Sequence, residues 1–238
     1  MKVLEVKGIS KSFGGLIAVN DVSFHVLEKE ILGVIGPNGA GKTTLFNLIT
    51  GFLKPDRGTI NFRGIELTRL RPHQIAQLGI VRTFQLVKSF PNMTVFENVL
   101  ISSLSNRNIH SREQAEKKAI EVLKLLGLLN LKDRLSKNLS HGELKRLEIA
   151  RALSMDPRLL LLDEPLAGLS YDEMNDILNI IQELRELGIS IIIIEHTIRV
   201  LMKIVDRVIV MHYGKKIADG PPEEIVSNRK VIEAYLGE

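Results

Sequence analysis

Residues Gly36 to Thr43 read GPNGAGKT, and this octapeptide decides the fold. The apolar run Ile31 to Ile35 leads into it, and the helical pattern TTLFNLIT, Thr43 to Thr50, leads out. Strand, glycine-rich loop and helix in that order fit G-x-x-x-x-G-K-[ST], a loop whose backbone N–H groups curl around phosphates at the positive end of the following helix. Gly36, Gly39 and Gly41 permit the curl, and Pro37, Asn38 and Ala40 complete it. Lys42 is expected to bridge the β- and γ-phosphates, Thr43 to bring its hydroxyl to Mg²⁺ and Thr44 to hold the α-phosphate. The loop specifies a nucleotide and leaves its use open, because GTPases, kinases, helicases and transport ATPases share it. The guanine-reading tetrapeptide NKxD does not occur, which lowers the GTPase reading.

Outward from the loop, β-branched runs alternate with helix-length patterns: Ile31 to Ile35, Ile80 to Phe84, Leu159 to Asp163, Ile189 to Glu195 and Arg207 to Met211. That alternation predicts an α/β fold with a mostly parallel sheet flanked by helices. Leu4 to Lys7, Ala18 to Val26 and Gly58 to Arg63 have no helix among them and predict an antiparallel β side sheet. Between Ser89 and Pro157 strand signals vanish and the sequence reads as an inserted α-helical subdomain. Ser111 to Gln114 reads as a capping box, and Ala115, Ala119, Val122, Leu123 and Leu126 follow at helical spacing until Gly127 stops the helix. The expected organisation is one domain over residues 1–238, with a core of residues 1–88 and 158–238 and a helical subdomain of residues 89–157.

Two apolar strands end in ionisable residues. Leu159 to Leu162 runs into Asp163 and Glu164, and a strand buried on both faces that ends in two carboxylates must use them. Asp163 suits Mg²⁺ through water, and Glu164, one residue beyond the strand, suits a general base for an attacking water, an effect worth roughly 10²–10⁴ in rate. Ile189 to Ile194 ends in Glu195 and His196, and His196 is placed to donate to a γ-phosphate.

Composition narrows the classes. Ile189 to Ile194 and Leu159 to Leu162 are among the longest apolar stretches, far short of the roughly 20 residues of a membrane span. The start, MKVLEVKGIS, alternates like a strand and has no apolar signal core, so the chain is expected on the cytoplasmic side. The absence of cysteine excludes disulfides and thiolate metal sites. A net charge of +4 scattered among 28 acids, without a basic tail, gives no footprint for nucleic acid, and none is expected as a partner.

At Leu139 to Leu153, LSHGELKRLEIARAL, the chain resembles the signature motif of ABC ATPases, usually LSGGQ followed by a basic, apolar helix. Gln85 in RTFQ, the EPLAGLS stretch and Phe13 in KSFGGLIAV extend the likeness. The resemblance implies a P-loop NTPase core that binds ATP and Mg²⁺ and hydrolyses ATP. It makes Phe13 the aromatic that stacks on adenine and Gln85 the glutamine that contacts Mg²⁺ or the attacking water and links core to helical insert. It also implies a head-to-tail dimer in which Ser140 and Gly142 of one subunit complete the other's ATP site. Three positions depart from the pattern. His141 replaces the first glycine of the pair, which is tolerable where its dihedrals do not demand glycine. Glu143 replaces glutamine and puts a carboxylate near incoming phosphates, with Lys145 or Arg146 expected to offset it. Ser170 stands where aspartate is common.

Within that family VRTFQLVKSFPNMTVFENV and LSHGELKRLEIARAL are most similar to the branched-chain amino acid importers, a group including urea or amide importers; lipopolysaccharide-export ATPases have similar length. The resemblance implies transmembrane permease subunits, an indirect solute-binding protein, a homodimer or a heterodimer with a sister ATPase, and a peripheral place on the cytoplasmic face of the membrane. Phe84 to Phe96 is the expected contact for a permease helix in a groove between core and insert. Non-transport ABC ATPases acting on DNA or ribosomes typically carry long coiled coils or two cassettes, and neither occurs here.

Overall fold

A computed structural model describes residues 1–84 and 89–236. Along the chain, β1 (Lys2–Phe13) and β2 (Leu16–Leu27) form a long hairpin, then β3 (Ile31–Ile35) enters the phosphate loop and α1 (Lys42–Ile49) leaves it. Next come β4 (Arg57–Phe62), β5 (Ile65–Glu66), α2 (Pro72–Gln77) and β6 (Ile80–Arg82). The helical stretch follows as α3 (Val95–Leu104), α4 (Arg112–Leu125) and α5 (His141–Leu153), with short 3-10 turns at Leu129–Leu131 and Ser136–Asn138. The chain closes with β7 (Leu159–Asp163), α6 (Tyr171–Glu186), β8 (Ser190–Ile194), α7 (Ile198–Leu201), β9 (Arg207–His212), β10 (Lys215–Gly220), α8 (Pro222–Ser227) and α9 (Arg229–Leu236).

Two sheets result. The larger has the order β10-β9-β3-β8-β7-β6 and is parallel except for the β9/β10 hairpin; the smaller, β2-β1-β4-β5, is antiparallel. The parallel strands are apolar throughout because both their faces are covered. Ile35, Leu160, Leu162, Ile191, Ile193 and Val208 point into a core shared with α3 to α9. Their alternates Leu32, Val34, Leu159, Leu161, Ile192 and Ile194 point into a second core shared with α1 and the antiparallel sheet. All central strands present their carboxyl ends to one edge, where an open α/β sheet takes its ligand.

The structure revises several sequence expectations. β1 and β2 run twelve residues each, beyond Leu4 to Lys7 and Ala18 to Val26, because the hairpin goes on pairing out to Phe13 and Leu16. β6 stops at Arg82 and not Phe84: the Phe84 N–H turns away from the sheet to a carboxylate oxygen of Glu148 at 2.7 Å. The edge strand β10, KKIADG, carries too little apolar alternation to be read from sequence. The capping box at Ser111 forms by half. Ser111 Oγ accepts from Gln114 N at 3.2 Å, but the Gln114 side chain accepts instead from His110 N at 2.8 Å. Complete boxes stand at Thr94, Ser140 and Ser170, each with a glutamate three residues on. α4 ends as expected, with Gly127 at φ +66° and Leu128 N donating to Leu123 O.

Leu162 is fully buried in the larger core. Leu162→Ala should lower the unfolding free energy by about 2–5 kcal/mol in urea denaturation, whereas Val226→Ala, on the exposed face of α8, should change it by about 0.5 kcal/mol or less.

Candidate functional site

The phosphate loop lies at the carboxyl edge of the parallel sheet, between β3 and α1. Gly41 caps α1 at φ +100°, with no side chain capping the helix end, and a Cβ there would sit 2.2 Å from the Ala18 carbonyl. Only glycine fits, and the first-turn N–H groups of α1 have no intrahelical partner. Lys42 is buried and its ammonium donates to Gly36 O at 2.5 Å and Pro37 O at 2.9 Å, so it is held inside the loop it would serve.

The loop forms one wall of a cleft of about 570 Å³ that also takes in Phe13, Asn38, Gly39, Ala40, Thr43, Thr44, Glu164 and His196. The sequence-derived residues from four separate segments thus meet around one space. Phe13 is 46% exposed, its ring presented from the β1/β2 hairpin with the Lys11 ammonium 5.8 Å from the centroid. Leu16, Ile17 and Tyr213 line the same end. Sequence reasoning missed all three, since they are ordinary hairpin and turn residues until the hairpin lies against the turn between β9 and β10, where Asn20 N donates to Gly214 O at 2.8 Å.

Asp163, 2% exposed at the end of β7, is paired with Arg82 of β6, Nη2 to Oδ2 at 2.9 Å. Arg82 was not singled out in the sequence. Its side chain, 6% exposed, donates to Asn47 Oδ1 at 2.6 Å and to Thr83 O at 3.2 Å, and its guanidinium lies 4.8 Å from the centroid of Phe84. Burial pushes the Asp163 carboxyl above its ordinary range, and the Arg82 charge opposes that shift. Thr43 lines the cleft and Asp163 does not; a carboxylate and a hydroxyl are hard oxygen donors, the chemistry that Mg²⁺ takes. Gln85 lies outside the described residues.

Glu164 occupies the left-handed region, φ +51°, a conformation of order 1–3 kcal/mol for a residue with a Cβ unless its surroundings hold it. They do so at both ends. Its N–H donates to Ile194 O at 2.9 Å, and its carbonyl accepts from Lys145 Nζ of α5 at 2.9 Å. The carboxylate then reaches His196, Nε2 to Oε1 at 3.0 Å, which joins the ends of β7 and β8 at the cleft. Glu195 serves the turns: one oxygen accepts from Leu166 N at 2.7 Å, the other from His196 N at 3.0 Å and Thr197 N at 3.3 Å, while burial pushes its carboxyl up.

Ser140 and Gly142 do not line this cleft. They stand at the amino end of α5, where Ser140 is exposed, Ser140 N donates to Glu143 Oε2 at 2.7 Å and Glu143 N to Ser140 Oγ at 3.2 Å. A Cβ on Gly142 would meet Glu173 Oε1 at 2.5 Å. His141 is the first helical residue, without positive φ, and its Nε2 lies 3.0 Å from Ala167 O, so the position does not need glycine. The expected offset of Glu143 by Lys145 or Arg146 is not what is seen: Lys145 points to Glu164, and the basic group facing Glu143 is Arg134, at 3.8 Å. Ser170 caps α6, with Glu173 N donating to its hydroxyl at 3.4 Å.

The expected permease contact at Phe84 to Phe96 divides. Phe84 is half-buried, edge-on to the exposed Phe52 at 5.9 Å, while Phe90 is exposed; the residues between Phe84 and Ser89 lie outside the described ones. A groove of about 460 Å³ between core and helical stretch opens elsewhere, at the amino ends of β6 and β7, lined by Leu78, Asn106, Lys118, Val122, Pro157 and Arg158 among others. Among the described residues no helix is long and apolar enough to cross a membrane.

A glycine loop on a helix end, two carboxylates and a histidine at the carboxyl edge of a parallel sheet define a P-loop nucleotide site. The chain belongs to the ABC transporter family, whose model matches residues 19–167. A second model, of the branched-chain amino acid ATP-binding cassette transporter, matches residues 215–238. The high-affinity branched-chain amino acid transport ATP-binding protein LivG of Salmonella typhimurium is 45% identical, over 99% of this chain and 98% of that protein. The crystal structure of MJ1267 in its ADP conformation, an ATP-binding cassette of an ABC transporter, superposes with a TM-score of 0.93 at 38% identity, covering both chains fully. The dimeric post-hydrolysis structure of the cassette MJ0796 bound to ADP and Pi gives 0.82 at 27% identity, over 92% of this chain and 98% of that one.

Removing Arg82 would leave Asp163 buried without its counter-charge. Arg82→Met should cost about 3 kcal/mol or more in unfolding free energy at pH 7. Because the folded state binds a proton at Asp163 more readily than the unfolded chain does, the deficit should narrow as pH falls toward 5 in parallel denaturation curves.

Proposed function

We propose that this chain is the ATP-hydrolysing subunit of a membrane transporter that imports branched-chain amino acids. The observation that carries the catalytic reading is the Glu164–His196 pair, 3.0 Å apart on the wall of the cleft that the phosphate loop closes. Adenine stacks on Phe13, the phosphates lie along Gly36 to Thr44, and Lys42 leaves the carbonyls of Gly36 and Pro37 for the β- and γ-phosphates. Thr43, Asp163 and Gln85 would hold Mg²⁺, which neutralises phosphate charge when bound. Glu164 takes the proton of a water aimed at the γ-phosphorus, and His196, whose Nε2 meets that carboxylate here, turns its N–H to the γ-phosphate when ATP is bound.

The site is half of a working one. A second subunit, a further copy or a sister ATPase, presents Ser140 and Gly142 to the γ-phosphate, so that ATP joins the two and its hydrolysis lets them part. The dimeric cassette bound to ADP and Pi supports this arrangement. Residues 89–157 act as the helical subdomain, core residues 1–88 and 158–238 carry the nucleotide, and the stretch from Phe84 to Phe96, where Phe90 is exposed, receives the permease. The similarity to LivG and the match at residues 215–238 support branched-chain amino acids as the cargo and the cytoplasmic membrane face as the location.

Glu164→Gln should bind ATP with Mg²⁺ and accumulate as a dimer in size-exclusion chromatography, with hydrolysis reduced at least a hundredfold; wild-type turnover would refute the base assignment. Lys42→Ala should lose ATP affinity in calorimetry, and undiminished binding would contradict its phosphate role. Purification from membranes should recover two permease chains, and recovery of ribosomes or DNA would overturn the transporter reading.

A further inference from the structure

Helix α5 begins with residues assigned to a partner's nucleotide, yet its buried polar side chains turn toward its own. Lys145 is 3% exposed and donates to the carbonyl of Glu164 at 2.9 Å. Glu148, three residues on and thus on the same face, is also buried and accepts from Phe84 N at 2.7 Å. An apolar pair would fill this space without the cost of desolvating two charges. Each instead ends on a backbone atom beside the reaction centre.

The contact with Glu164 is the informative one. A left-handed residue with a Cβ needs its peptide groups held, and here β8 takes the N–H while the carbonyl accepts from Lys145 Nζ at 2.9 Å and, at 3.3 Å, from Ala167 N. With the backbone held in this way the carboxylate meets His196. Lys145 does not line the cleft, and its hydrogen bond goes to the main-chain carbonyl of Glu164 and not to the carboxylate, so it has no direct part in binding nucleotide.

We propose that Lys145 is a positioning residue that fixes the backbone of Glu164 and so aims the hydrolytic carboxylate from the helix whose amino end carries Ser140. This rests on the reading of Glu164 as the base. Lys145→Met keeps the stem's packing and removes the donor; it should lower kcat of the full chain about tenfold while the KM for ATP stays within about twofold. Lys145→Arg, which retains a donor, should keep at least about a third of the wild-type kcat, and it replaces the methionine variant as the informative comparison should that one not fold. A double variant with Glu164→Gln separates aiming from general scaffolding. With no base left to aim, it should form the ATP dimer at the same nucleotide concentration as Glu164→Gln alone.

Wild-type kcat in Lys145→Met, equal losses in the methionine and arginine variants, or a double variant that no longer dimerises would each overturn the proposal. An active Glu164→Gln would instead refute the base assignment itself, which keeps the two failures apart.

Discussion

The ion pair between Arg82 and Asp163 closes the seam on which the nucleotide site is built. Arg82 comes from an edge strand of three residues, Asp163 from the buried strand beside it, and the same guanidinium holds Asn47 of the helix that leaves the phosphate loop. Loop helix, the Asp163 carboxylate and the chain at Thr83 and Phe84 are therefore referenced to one side chain. In water such a pair would contribute little; enclosed by Phe46, Phe52 and Phe84 it is costly to form and costlier to break. The sheet's apolar faces supply the stability, and the buried charges decide how its carboxyl edge is arranged.

Sequence reading reached the parts of this site that are local. The octapeptide at Gly36 to Thr43 works because backbone curl and helix start are set by neighbours in the chain, so the pattern and the geometry coincide. The strands that run into Asp163 and toward Glu195 and His196 were legible for a similar reason: runs of four leucines or four isoleucines suit a sheet covered on both sides. The signature stretch was legible only by likeness to a family.

What escaped was whatever depends on two distant segments. Arg82 is one arginine among many until β6 lies beside β7. Tyr213 becomes a cleft residue when a hairpin 200 residues earlier closes against its turn, and Lys145 looks like helix solubility until α5 packs over the start of the Glu164 turn. The half-formed box at Ser111 shows the opposite limit. Its residues match the pattern, but the Gln114 amide finds His110 N first, a competition that spacing does not reveal.

The amino end of α5 is satisfied from within: Glu143 gives its carboxylate to Ser140 N, and the serine hydroxyl already has the Glu143 N–H. An internal negative charge, tethered three residues into the helix, thus stands at the positive end of α5 and offsets part of its dipole, so this helix end is not a bare cation to its surroundings.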